Sequence, residues 1–229
     1  MRLASTGPIH RRTALRGALL LGGGVLGAQV SSCSLADRGP QPASGRTPAT
    51  SGAGGSRTLL AYFSRPGENY YYGGRRNLEV GNTQVVAEMI ADLATVDVYR
   101  MEAADPYPQD YEVTVERNVR EQEADARPAI ANPPPPLEGY DTILLGSPVW
   151  NVTAPMIMHT FLERFDVSGK TLFPFVTYAV SGMGNVARDY GARWPDATIG
   201  HGLAVRGEEA GQAPPEVEAW LRRIGLLRG

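Results

Sequence analysis

Thr58-Leu-Leu-Ala-Tyr-Phe63, running directly into Ser64-Arg65-Pro66-Gly67, decides how the rest of the chain is read. Six uncharged residues closed by a turn-forming Pro-Gly suit a strand buried on both faces, the kind found inside a parallel sheet. Outward from that strand, Thr83 to Leu93 places Val86, Met89, Ile90 and Leu93 at helical spacing, with Asn82 or Thr83 expected as the cap. Val96 to Met101 reads as a second strand, and Gln109 to Ala124, rich in Glu and Arg, as a solvated helix. The prolines between Asn132 and Pro136 make a stiff connector. Asp141 to Gly146 is a third strand, Ser147 to Ala154 a loop, and Pro155 to Phe165 a helix with proline at its first position. Thr171 to Ala179, Asn185 to Ala192, Thr198 to Val205 and Pro215 to Leu227 then read as strand, helix, strand and helix. Val217, Trp220, Leu221 and Ile224 share one face of the last helix. This alternation predicts an α/β fold: a doubly wound five-stranded parallel sheet with helices on both faces. Such sheets bind ligands at the carboxyl ends of their strands.

The 229 residues contain one cysteine, Cys33, which excludes a disulfide scaffold, a dithiol redox motif and a Cys-rich zinc module. His10, His159 and His201 do not lie at metal-ligand spacing, and a formal charge of −2 argues against a nucleic-acid partner. Residues 1–33 hold Arg2, Arg11, Arg12 and Arg16 and no acid. Ala18 to Val30 is uncharged and, at about 1.5 Å per helical residue, too short for a bilayer core of about 30 Å. A basic start, a short apolar stretch and small residues at Ser31-Ser32 predict a signal peptide. Arg11-Arg12 with Leu15 resembles the twin-arginine export signal. Val30-Ser31-Ser32-Cys33 resembles a bacterial lipobox, which implies lipidation of Cys33 and attachment to the outer face of the cytoplasmic membrane. An ordinary cleavage site, giving a periplasmic or extracellular product, is the alternative. Residues 34–56, rich in Ser, Gly and Pro, read as a flexible linker, and 57–229 as the folded domain. Beyond residue 33 stand 18 bases against 24 acids, a charge of −6.

Three loops follow the strand ends where ligands are expected. The first carries Ser64 and Arg65 and ends at Gly81-Asn82-Thr83, where hydroxyls and free N–H groups at a helix start suit a phosphate. The same residues also make an ordinary Gly-rich turn before a capped helix. The second, Pro148-Val149-Trp150-Asn151, puts a large ring on a loop, either to stack on a flat ligand or to fold back over the sheet edge. The third, Ser181-Gly182-Met183-Gly184, lets backbone approach a ligand closely. Two dinucleotide-like glycine patterns are misplaced. Gly22-x-Gly24-x-x-Gly27 lies in the signal, and Gly182-x-Gly184-x-x-Ala187 follows the fourth strand instead of the first. A hydrolase built on Ser181 fails because Ala179 and Met183 replace the glycines of a nucleophile elbow.

Taken together, Ala61 to Asn69, Val80 to Thr83 with Val86-Ala-Glu88, Tyr140 to Trp150, Phe161-Leu162, Ser168 to Lys170, Pro174-Phe175 and Ser181 to Gly184 resemble the flavodoxin-like FMN-binding family, in its long phosphate-loop branch. The resemblance implies that Ser64, Asn82 and Thr83 hold the FMN phosphate, with Arg65 as a further partner. It places Pro148, Val149, Trp150 and Asn151 along the flavin and Ser181 and Gly182 on the opposite loop. Asn151 stands where many relatives have a second aromatic, and Ala179-Val180 where they have a glycine pair. The family implies electron transfer, with FMN-dependent NAD(P)H:quinone-type reduction as the enzymatic alternative and a flavin-free lipid-anchored binding module as the non-enzymatic one. The partner expected is a redox protein or a small acceptor such as a quinone. The charge of −6 suits a basic partner and disfavours a reduced, anionic flavin.

Overall fold

The computed structural model describes residues 57–228, so the expected signal, Cys33 and the linker lie outside the described residues. In chain order the elements are β1 (Thr58–Phe63), β2 (Gly67–Tyr71), β3 (Gly74–Leu78), α1 (Asn82–Leu93), β4 (Asp97–Met101), α2 (Tyr111–Glu123), β5 (Thr142–Pro148), α3 (Met156–Leu162), β6 (Thr171–Tyr178), α4 (Val186–Arg193), β7 (Thr198–Ile199), β8 (Leu203–Arg206) and α5 (Pro214–Arg223). Short 3-10 turns occupy Leu137–Gly139 and Gly207–Gln212.

The main sheet is parallel throughout, in the order β4-β1-β5-β6, with β7 and β8 both pairing with the far side of β6. All six residues of β1 are buried. Leu59, Ala61 and Phe63 pack with Ile157 and Phe161 of α3 and Tyr190 of α4. Leu60 and Tyr62, on the opposite face, pack with Val86 and Ile90 of α1 and Val217 and Leu221 of α5. Two-sided burial is why an uncharged run reads as an interior strand.

Two differences from the sequence reading have physical causes. The single strand expected over Thr198 to Val205 is broken. Leu172 of β6 pairs with Ile199, but Phe175 pairs with Leu203, so the outer strand carries one extra residue. The Leu172 carbonyl faces this strand, accepting from the Gly200 N–H (2.9 Å), so Pro174, two residues on, faces the same way with no N–H to offer. The ladder opens there. The stretch from Ser64 to Asn82, expected as a loop, contains an antiparallel hairpin of β2 and β3. Tyr72 and Gly73 at its tip have φ of 44° and 88°, the two positive values of a type I′ turn.

Helix ends also differ. α3 stops at Leu162, and Pro155 precedes its first turn. α5 ends at Arg223 instead of Leu227 because Gly225, at φ 76°, turns the chain so that the Leu226 N–H returns to the Leu221 carbonyl (2.9 Å).

His159, at 9% exposure, packs edge-on against Trp194 with ring centroids 5.7 Å apart, and neither ring nitrogen has a hydrogen-bond partner. Burial, with Arg193 and Arg127 nearby, lowers its pKa below 6.5, against the opposite pull of Asp125 and Glu163. Glu163 is itself held down to about 2 by its hydrogen bond with Arg127.

Gly146 of β5 pairs with Phe175, and a Cβ there would lie 2.1 Å from the phenyl ring. Gly146→Ala is expected to cost about 1–3 kcal/mol, read as a drop of about 2–4 °C in Tm for each kcal/mol in a thermal melt. An unchanged Tm would contradict this packing. A second expectation concerns acid. Because the His159 pKa is lower in the folded chain, its contribution is fully present above the unfolded pKa and fades as pH falls through about 6.5. The His159→Phe variant should lose less Tm than the wild type between about pH 7.5 and about pH 5, a window above the range where carboxylates protonate. Equal losses would place the acid sensitivity elsewhere.

Candidate functional site

The strand order reverses between β1 and β5, and at the carboxyl ends of β1, β5 and β6 lies a cleft of about 560 Å³, counted to its open mouth. Its floor is the start of α1. Gly81 precedes this helix at φ −70° and ψ 145° without a side-chain cap of its own. The cap comes instead from the end of β1, where Ser64 Oγ accepts from the Gln84 N–H (3.1 Å). Neither Asn82 nor Thr83 supplies it. The arrangement needs glycine at position 81, since a Cβ would lie 2.4 Å from Ser64 Oγ and 2.5 Å from the Arg65 carbonyl oxygen. Thr83 Oγ1 is hydrogen-bonded instead to Thr177 Oγ1 at the end of β6 (2.7 Å, buried). The N–H groups of Asn82 and Thr83, in the first turn, have no acceptor within the helix, and the helix dipole favours an anion beside them.

Arg65 is 7% exposed. Its guanidinium donates to the carbonyls of Pro108 (2.7 Å), Gln109 (3.2 Å) and Glu68, fastening the loop after β1 to the start of α2. Burial lowers its pKa from the ordinary arginine value, but the group stays protonated. Its Nε is buried without a partner, a donor facing no acceptor within the described residues.

Across the cleft stands Trp150. Its backbone exchanges hydrogen bonds with Thr153 (2.9 and 3.2 Å), and Asn151 and Val152 between them have φ of 48° and 62°. Asparagine tolerates that region; β-branched valine does not, so the turn carries strain that its surroundings must hold. They do so through Gln122 Nε2 donating to the Trp150 carbonyl (3.0 Å), the Asn185 N–H to the Val152 carbonyl (2.7 Å), and the Thr153 hydroxyl to Asp189 (2.7 Å). The indole itself meets Phe63 and Tyr107 edge-on at 5.7 and 5.0 Å. Tyr107 is fixed in turn by its hydroxyl on Glu121 (2.7 Å) and by Arg117 over its ring (4.1 Å), and burial pushes the phenol pKa up.

Seven of the residues expected from the sequence therefore line one cleft: Ser64, Arg65, Asn82, Thr83, Pro148, Val149 and Trp150. Pro148 ends β5 instead of lying in a loop. Asn151, Ser181 and Gly182 are not in the cleft wall. Asn151 turns outward to Gln122 Oε1 (2.8 Å), and Gly184, at φ 56°, is closely approached by the Val152 carbonyl. The loop after β6 instead contributes Tyr178 and Ala179, at its beginning. Sequence reasoning missed Asn69 and Tyr70 on the hairpin, Tyr111 at the start of α2, Thr177, and Gly207 with Glu208 after β8. The tyrosine run from Tyr70 to Tyr72 was a visible signal; the segment after β8 offered none. Among the described residues no three His, Cys, Asp or Glu side chains gather as a metal site, and no helix is long and apolar enough to cross a membrane.

The flavodoxin family profile matches residues 78–224, well over half of the chain. The chain belongs to the flavodoxin family. The flavodoxin resembles a provisionally assigned flavoprotein from Bacteroides eggerthii, with 28% identity and a TM-score of 0.61 over 75% of this chain and 99% of the other. A second such protein, from Bacteroides uniformis, gives 28% identity and a TM-score of 0.58 over 73% and 99%. A flavoprotein from Lactobacillus acidophilus, solved in complex with FMN, shares the fold at 18% identity, with a TM-score of 0.51 over 69% and 98%. No protein of curated function gives a significant match to this flavodoxin.

Ser64→Ala removes one of the two acceptors of the Gln84 N–H, leaving the Gly81 carbonyl (3.0 Å), and should cost about 1 kcal/mol, with faster amide hydrogen exchange confined to the first turn of α1. A uniform change in exchange across the sheet, or none, would show that Ser64 is not the cap.

Proposed function

We propose that this flavodoxin binds FMN and passes electrons between partners. The reading rests above all on one juxtaposition: the uncapped first-turn N–H groups of α1 and the indole of Trp150 border the same cleft. The residues fit the cofactor. Asn82 and Thr83 would receive its phosphate at the helix start, with Ser64 holding that helix in place and the unpartnered Arg65 Nε facing a group in need of a donor. Trp150, set by Phe63 and Tyr107, would lie along the flavin together with Pro148 and Val149. FMN supplies the redox chemistry when bound. The chain's task is to orient the ring, shield it from water and set the charge around it. None of its residues need act as acid, base or nucleophile.

We further propose that the domain is exported, tethered through Cys33, and meets a basic redox protein or a small acceptor such as a quinone outside the cytoplasm. Val152 and Val180, two of its exposed large apolar side chains, stand on the loops after β5 and β6, where such an acceptor would arrive.

Purified full-length protein reconstituted with FMN should be yellow, and a colourless protein with no heat of association would reject the proposal. Thr83 Oγ1 can accept from Thr177 and give its own proton to the phosphate, so Thr83→Ala should weaken FMN by about tenfold more than riboflavin, which lacks the phosphate. Equal losses would remove the phosphate from the Thr83 hydroxyl. Trp150→Ala should weaken both flavins and brighten their bound fluorescence, and unchanged emission would rule out contact with the indole.

A further inference from the structure

Resting on that FMN reading, we infer that Glu208 grips the hydroxyl-bearing chain that joins phosphate to ring, and so selects a polyol-linked flavin. Glu208 lies in the 3-10 turn after β8 and lines the same cleft. One carboxyl oxygen, Oε1, accepts from the Tyr72 N–H at the tip of the hairpin (3.0 Å). The other, Oε2, is buried and has no partner. A buried carboxyl oxygen without a donor costs free energy, and only a hydroxyl or N–H can satisfy it.

The position of the turn says which part of a ligand that would be. A Cβ on Gly207 would lie 2.5 Å from the side-chain Nδ2 of Asn82 and 3.7 Å from the Tyr178 carbonyl oxygen. Residue 207 thus sits between the start of α1, where the phosphate is placed, and the end of β6 beside the aromatic wall. Glu208 follows it under the hairpin. A carboxylate directly against a phosphate would repel it, and the one N–H of an oxidised flavin ring, N3–H, lies on the ring edge remote from the chain that carries the phosphate. Between the two, a chain of hydroxyls offers donors and no charge. The unpartnered atoms of these two cleft-lining residues then sort by chemistry, with the Arg65 Nε donor suiting the anionic end and the Glu208 acceptor the neutral polyol.

Affinities of the full-length wild type, Glu208→Ala and Glu208→Gln for FMN, riboflavin and lumiflavin test this, because lumiflavin keeps the ring but lacks the polyol. Glu208→Ala should weaken FMN and riboflavin by a similar factor, about tenfold, and leave lumiflavin unchanged. Glu208→Gln keeps an acceptor for the Tyr72 N–H and should lose less. Equal weakening of all three flavins would mean that Glu208 holds the hairpin or meets the ring N3–H instead of the polyol. Selective tightening of FMN would place the carboxylate beside the phosphate, and no change would show that it touches no ligand. Any of these three overturns the inference. Failure of the wild type to bind any of the three would instead reject the FMN reading itself.

Discussion

The hydrogen bond from the Gln84 N–H to Ser64 Oγ fastens the first turn of α1 to the residue that ends β1. It can form because Gly81 leaves room for the two segments to touch. Much of the site follows from that contact. The helix capped in this way keeps its own first N–H groups unsatisfied by side chains, and those groups open onto the cleft at the reversal of strand order. The Thr83–Thr177 hydroxyl pair ties the same turn to β6, so two strands and one helix share a single fixed corner.

The opposite wall is built on a different principle. Trp150 sits on a turn whose backbone is unfavourable for Val152, and several hydrogen bonds from α2, α4 and the loop after β6 keep it there. The floor of the cleft is therefore held by a helix cap and the aromatic wall by a clasped turn.

The interior strands were legible because burial on both faces leaves only apolar residues, as in β1, and α1 because its apolar spacing is helical. The hairpin was not. The side chains of β3, Arg75 and Arg76 among them, are largely exposed and those of β2 uniformly half-buried after Gly67, so no alternation marks them as strands, and the signal lies in the turn chemistry of Tyr72-Gly73. Capping is normally local, which points to Asn82 or Thr83; a serine eighteen residues upstream of Asn82 carries no such mark in the sequence. Most of the cleft residues named beforehand come together. Asn151, Ser181 and Gly182 do not, because the left-handed backbone at Asn151 turns its side chain out and only the beginning of the loop after β6 reaches the cleft. Glu208 escaped notice because nothing in the sequence says that the chain after β8 returns beneath the hairpin.

Pro174 has a further effect at the margin of the sheet. By breaking the outer strand into β7 and β8, it leaves that edge without a long, regular row of free amides and carbonyls. Another chain seeking to add itself as a strand finds only two- and four-residue segments offset by a bulge. The same proline that spoils a continuous ladder thereby guards this flank against edge-to-edge aggregation.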